Sequence, residues 1–280
     1  MSSASGVPRT GPHLVALRQV YAAIDQAAAT GLNLHVLGHA GSWPIMALSR
    51  PAAPGRPTVL VTGGTHGDEP AGVAAALACL APEFQERWRG LGWHVIPCVN
   101  PAGYLAGTRG NAQGADINWS YERDDVPEVR ALRDWLVGRR FAFVLDFHED
   151  WESPGYYLYE MRRGGAPVGQ QVTDRVRAVC PLNAAETIEG WPARRGVLTP
   201  DPAAEPGRPG VGIPVAMIRH HTDHLVVPET PTSLDLDTRV RAHLLTLEVL
   251  AAVHAPSPSR GTRAGRLRAA ARAASPQGGP

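Results

Sequence analysis

A histidine and a glutamate three residues apart, His66 and Glu69, lie in the segment GGTHGDEP at residues 63–70. Imidazole nitrogen and carboxylate oxygen are both good zinc ligands, and across a tight turn or a first helical turn this spacing brings both to one ion. The apolar run TVLVT stops just before, the glycines permit a sharp bend, and Pro70 suits a first helical position. The same residues also describe a plain glycine-rich strand-to-helix turn with a capping aspartate. A dinucleotide-type loop fits less well, because the glycines lack GxGxxG spacing. Further on, VLDFHED at residues 144–150 is a hydrophobic strand ending in His148. A third ligand from a separate strand end would leave the fourth zinc position open, as a catalytic site requires. VVPETP at residues 226–231 places Glu229 at the end of another apolar strand. Taken singly, His148 also reads as a hydrogen-bonded strand-end residue, and Glu229 as a solvated turn glutamate.

The elements that would position these residues alternate. Helical apolar spacing runs through residues 13–29, and residues 33–37 and 45–48 read as strands around a turn at 38–43. Strands are expected at 58–62, 93–99, 141–147, 215–218 and 225–227, and helices at 70–80, 126–137, 170–179 and 234–253. Such alternation predicts an α/β fold with a mixed, mainly parallel sheet and helices on both faces. Ligands in such sheets bind at the carboxyl ends of the strands, which is where His66, His148 and Glu229 fall. The expected organisation is a flexible segment at 1–12, one domain over 13–254, and an Arg/Pro-rich tail at 255–280.

The order of these motifs resembles the zinc metallocarboxypeptidase family over residues 32–252: HGDE after a strand, then NPAGY (100–104), Arg109, GADIN (114–118), DFHED and PETP. The resemblance implies one Zn2+ held by His66, Glu69 and His148, Glu229 as general base, and Arg109 polarising the scissile carbonyl. Asp116 matches an aspartate standing behind a ligand. The implied reaction is hydrolysis of an amide in a peptide or peptide-like substrate, with zinc-activated water as nucleophile. One departure stands out. The family has Asn-Arg where this chain reads Asn118-Trp119, and that arginine pairs with the substrate's terminal carboxylate, a bidentate role tryptophan cannot take. Arg123 and Arg219 are candidates to replace it; otherwise the substrate lacks the carboxylate and Trp119 offers an aromatic wall. The missing arginine keeps open an N-acyl amino acid deacylase or a peptidoglycan-peptide amidase, and, from another class, a catalytically silent binding protein. Tyr157 and Tyr159 alternate onto one face, so a hydroxyl could meet substrate there. His220, His221 and His224 form a HxxxH-type cluster without a third ligand and are expected at the rim or behind the site.

Composition removes several alternatives. All 27 basic residues are arginine, which excludes a Schiff-base lysine and a phosphate-loop lysine. No GxSxG elbow supports a serine hydrolase. A net charge of +1 gives no general argument for nucleic acid or membrane as partner, and oligomeric state is left open. Cys79, Cys98 and Cys180 form no CxxC pair and read as buried apolar residues. With no signal-peptide pattern in the opening residues, the cytoplasm is the expected location.

Overall fold

The computed structural model describes residues 12–201 and 211–255. The expected segments at 1–12 and 255–280 therefore lie outside the described residues, except for Pro12 and Ala255. In chain order, α1 (Pro12–Ala29) precedes a hairpin of β1 (Asn33–Ala40) and β2 (Trp43–Arg50). Then come β3 (Thr58–Thr62), α2 (Pro70–Ala78), α3 (Pro82–Arg87), β4 (Gly92–Ile96) and α4 (Pro101–Ala106). A 3-10 turn (Ile117–Trp119) leads to α5 (Pro127–Leu136), β5 (Val144–Asp146), β6 (His148–Asp150), β7 (Tyr157–Arg162) and α6 (Gly169–Val176). Three short strands, β8 (Thr187–Ile188), β9 (Trp191–Arg194) and β10 (Val197–Leu198), precede α7 (Ile213–His220), β11 (His224–Pro231) and α8 (Leu236–His254).

One 11-stranded sheet runs β1-β2-β4-β3-β5-β11-β7-β10-β9-β8, with β6 also pairing β11. Its centre is parallel, β3 lying between β4 and β5, and β11 beside β5 and β6. The edges and the β11–β7 pair are antiparallel. The central strands are apolar on both faces because both are covered. Val59 and Val61 of β3 join one core with α1, α2, α6 and α8, through Ile24, Val73, Val172 and Leu247. Leu60 faces the other core, with Val129 and Leu132 of α5 and Met217 of α7. Alternation along one strand thus feeds two hydrophobic layers.

The strand expected at 215–218 is a correction: those residues lie inside α7. A short apolar run reads equally as a buried strand or a buried helical turn. Pro214 in the first turn of α7 favours the helix, and Val215, Ala216, Met217 and Ile218 are all buried in it. The strand expected at 141–147 is split, with β5 ending at Asp146 and β6 restarting at His148.

Buried and half-buried imidazoles make the fold acid-sensitive. Burial pushes His94 down to about 4, aided by Arg139 and His35. It likewise pushes His243 to about 3 and His254 to about 4. Unfolded histidines titrate near ~6.5. Below that pH the unfolded chain binds protons that the folded chain refuses, so stability is full above ~6.5 and falls as pH drops toward about 4. Urea midpoints should be lower at pH 5 than at pH 7.5, and His94→Gln should flatten that difference. An unchanged slope in His94→Gln would remove this residue from the account.

Candidate metal centre

The segment after β3 is fixed by backbone constraints that place two side chains. Gly64 adopts φ +63°, open to glycine and strained for other residues. A Cβ on Gly67 would stand 1.9 Å from the Gly103 carbonyl carbon, so the turn can lie directly against α4 only with glycine there. Gly67 N–H donates to the Thr108 carbonyl at 3.0 Å, and Asn100 caps α4 by accepting from Gly103 N–H at 2.8 Å. Glu69 takes the N-cap position of α2, with Pro70 following, so its carboxylate stands at the helix start.

His66, Glu69 and His148 are buried, at 2%, 4% and 2% exposure, and their ligand atoms lie within 4.8 Å of one another. His66 Nδ1 is 2.6 Å from Glu69 Oε1, and His148 Nδ1 is 2.9 Å from Glu69 Oε2 and 3.1 Å from His66 Nδ1. A tetrahedral zinc holding ligands at about 2.0–2.1 Å spaces them by about 3.3 Å, so the donors present fit the ion with small adjustments. Two imidazole nitrogens and a carboxylate facing one point form a donor set suited to zinc. Each imidazole is backed by a carboxylate: His66 Nε2 by Asp116 Oδ1 at 3.2 Å, and His148 Nε2 by Asp146 Oδ2 at 3.0 Å. Such backing fixes ring orientation and leaves Nδ1 as the ligand atom.

Asp116 was marked in the sequence; Asp146 was not. The signal was present, since alternation puts Asp146 and His148 on one side of the strand. Asp146 Oδ1 accepts from Thr62 Oγ1 at 2.7 Å and Thr65 Oγ1 at 3.1 Å, tying β5 to β3 behind the site. Electrostatics follow. Burial alone would raise the Glu69 carboxyl, yet His148 and His66 outweigh it and hold it at about 2. Burial would lower His148, but Asp146 and Glu69 raise it well above the imidazole range. Asp116 is opposed by burial and held below the carboxylate range by His66 and Arg109.

Glu229 pairs in register with His148 on β6 and with Tyr157 on β7. It faces the same cleft, a cavity of about 400 Å³ that His66, Arg109, Asn118, Trp119 and Tyr157 also line. Burial pushes the Glu229 carboxyl well above its ordinary range, with Glu69 and Asp150 adding to the effect against His148 and Arg109. Arg109 Nε donates to Asp116 Oδ2 at 3.0 Å, and its Nη1 lies 3.7 Å from Glu69 Oε1. Asp116 therefore braces a metal ligand and the arginine together.

The structure does not bring the two other arginines to this cleft. Arg123 is exposed and paired to Asp125 at 3.0 and 2.6 Å. Arg219 lines a neighbouring cavity of about 600 Å³ with Arg162 and Arg163, which meets the metal cleft at Pro200 and Asp201. The three clustered histidines also part company. His220 ends α7, His221 Nδ1 meets the Arg139 carbonyl at 3.0 Å, and His224 lies between Glu160 and His254 at 3.2 and 2.8 Å. None lines the metal cleft, although the His220 and His221 rings stay 6.1 Å apart, edge to face. Residues the sequence did not single out, Asp150, Trp151 and Trp191, line it instead. Trp191 reaches it on β9, whose place in the sheet no local pattern announced.

Replacing Asp146 by Asn should leave the fold intact and weaken zinc binding by about 10–100-fold, the scale for a group that orients a ligand imidazole. Competition against a zinc chelator checks this; unchanged affinity would deny Asp146 that role.

Residues 31–163 match the zinc carboxypeptidase family. The chain is 35% identical to murein peptide amidase A of Escherichia coli K12 over 95 residues, 33% of this chain and 36% of that protein. It is 33% identical to carboxypeptidase D of Mus musculus over 132 residues, covering 34% of this chain and 9% of that one. The alignments thus span about a third or less of the curated relatives' length. A candidate metallopeptidase of Shewanella amazonensis shares the fold with TM-score 0.74 and 25% identity, covering 86% of this chain and 94% of that one. Fold, ligand cluster and the match over residues 31–163 agree: this chain is similar to zinc carboxypeptidases in that segment and in its overall fold.

Proposed function

We propose that the chain hydrolyses an amide bond in a peptide or peptide-like substrate, with Glu229 as general base and Arg109 as the cation facing the scissile carbonyl. The observation that carries this reading is the alignment of Glu229 beside His148 in the β11–β6 register, on the open side of the ligand cluster. Zinc, when bound there, supplies a Lewis acid and a lowered pKa for water. Glu229 Oε takes the proton that water loses and returns it to the leaving nitrogen. Burial raises its proton affinity, with Glu69 and Asp150 adding to the effect, while His148 and Arg109 oppose it. Arg109, held by Asp116, presents a fixed cation where negative charge develops on the carbonyl oxygen.

Two observations favour an amidase over a carboxypeptidase demanding a free terminal carboxylate. Neither Arg123 nor Arg219 lines the cleft, and Arg109 is the one arginine among its described lining residues. Trp119 stands in the wall there. Similarity to a murein peptide amidase supports the same direction. An N-acyl amino acid deacylase would also place a carboxylate in this wall and is less well served by it. We assign the reaction to the cytoplasm on the strength of three free, buried cysteines. Among the described residues, no helix is long and apolar enough to cross a membrane.

Glu229→Gln should retain zinc and lose most turnover, since it removes a base and no ligand. Arg109→Ala should retain zinc and slow turnover by roughly 10²–10³-fold. Near-normal rates in Glu229→Gln would overturn its role, and a wild-type protein that binds zinc yet turns over no amide would point to a silent binding protein. Of two otherwise identical peptides, the C-terminal amide should be cleaved at least as well as the free acid. A strong preference for the acid would contradict the reading of the Trp119 wall.

A further inference from the structure

The cleft has a charge balance that the hydrolytic residues do not use. Arg109 is the one arginine among its described lining residues, and the lining includes eight carboxylates. Glu69 serves in the ligand cluster, Asp116 pairs with Arg109, Glu149 pairs with Arg239, Glu229 stands at the reacting side, and Glu189 and Asp201 also have partners. Asp150, the last residue of the ligand strand β6, and Glu152 flank Trp151 in the sequence Asp-Trp-Glu, and all three line the cleft. Neither acid has an arginine partner among the described residues. Asp150 is instead set in place by neutral donors, Tyr157 Oη at 2.9 Å on one oxygen and Glu152 N–H at 2.8 Å on the other. A carboxylate accepts about four hydrogen bonds, so Asp150 keeps acceptor capacity toward the cleft.

The aromatic side chains point the same way. Trp151 is 78% exposed, an unusual state for an indole, and it stands on the cleft wall. Trp191 lines the same cavity and packs in a small cluster with Tyr157 and Tyr159. Among the described residues, arginine guanidinium groups stack on Trp88 and Trp135, not on Trp151 or Trp191. Asn118, 9% exposed and also on the wall, has an Oδ1 with no hydrogen-bond partner. An orphan acceptor, two carboxylates without arginine partners and an exposed indole all suit one kind of ligand group, an N–H-bearing cation. A carboxylate placed beside Asp150 and Glu152 would meet like charge.

Resting on the amide-hydrolase reading above, we propose that the substrate carries an amino or guanidino group that seats against Asp150, Glu152 and the faces of Trp151 and Trp191. This group contributes to binding and selects the substrate; it takes no part in the proton transfers.

The test separates binding from turnover. Zinc-loaded, full-length Glu229→Gln is titrated calorimetrically with three peptides blocked at both ends: acetyl-Ala-Lys-Ala-amide, its norleucine analogue and its glutamate analogue. The lysine peptide should bind about tenfold more tightly than the norleucine one, the scale of a desolvated cation over an aromatic face next to a carboxylate. The glutamate peptide should bind most weakly, and added salt should narrow the gap. Adding Glu152→Gln, a change at an exposed position that leaves packing alone, should reduce the lysine preference, as should Trp151→Ala. Equal or tighter binding of the norleucine or glutamate peptide, or a lysine preference untouched by both substitutions, overturns the proposal, as does absence of binding by all three. Wild-type turnover of blocked amides is scored separately. Turnover without lysine preference sinks this inference alone, whereas lysine preference without turnover sinks the hydrolase reading and leaves the cationic site standing.

Discussion

Two imidazole nitrogens 3.1 Å apart and a carboxylate within hydrogen-bond distance of both are brought together where little water reaches. Burying an ion costs several kcal/mol unless partners compensate it, and here the compensation is layered. Asp116 and Asp146 stand behind the rings, Thr62 and Thr65 donate to Asp146, and Arg109 balances Asp116. A divalent cation at the focus neutralises what remains, since carboxylates otherwise outnumber the fixed cations around it. The surrounding structure answers to this one convergence.

The sheet supplies the positions. β3, β5–β6 and β11 run parallel, so their carboxyl ends finish at one edge and carry the first ligand pair, the second histidine and Glu229 in turn. The break between β5 and β6 sits at Phe147, whose buried ring packs with His243 of α8 at 4.7 Å. Glu149, next along the chain, accepts from Ala71 N–H at the start of α2 at 2.6 Å and pairs with Arg239 on α8. The residue after a ligand therefore ties the ligand strand to the two helices that cover that face. Displacing either helix would move His148 relative to Glu69, and sub-ångström shifts matter to a metal.

The reacting end and the recognising end of the cleft are built differently. The ligands, Asp116 and Arg109 form a closed network of short hydrogen bonds on strand ends and tight turns. The outer wall is aromatic and acidic, drawn from the loop after β6, from β7 and from the β8–β9 hairpin. Loops and short edge strands can change composition without disturbing the central sheet, which is how one hydrolytic centre can face different substrates.

Much of the catalytic end was legible in the amino-acid order. HxxE after an apolar strand, a strand-end histidine and a glutamate between prolines are local patterns, and the strand or turn each belongs to determines where its side chain goes. The helix–strand alternation likewise announced a covered, mainly parallel sheet, because hydrophobic period reports directly on which faces are buried. The run at 215–218 was misread because four apolar residues carry no period; Pro214 in the first turn and packing over β11 and the 3-10 turn make it helical. Arg123 and Arg219 were candidates in sequence logic, yet neither lines the cleft: Arg123 pairs with Asp125, and Arg219, near the end of α7, lines the adjoining cavity. The acidic and aromatic wall was invisible for the same reason. Asp150, Trp151 and Trp191 come from segments about 40 residues apart, and what unites them is strand order, β9 reaching the cleft through β10 and β7. A linear pattern specifies local geometry through covalent spacing; which distant surfaces meet is decided by long-range pairing and burial, available only once the chain has folded.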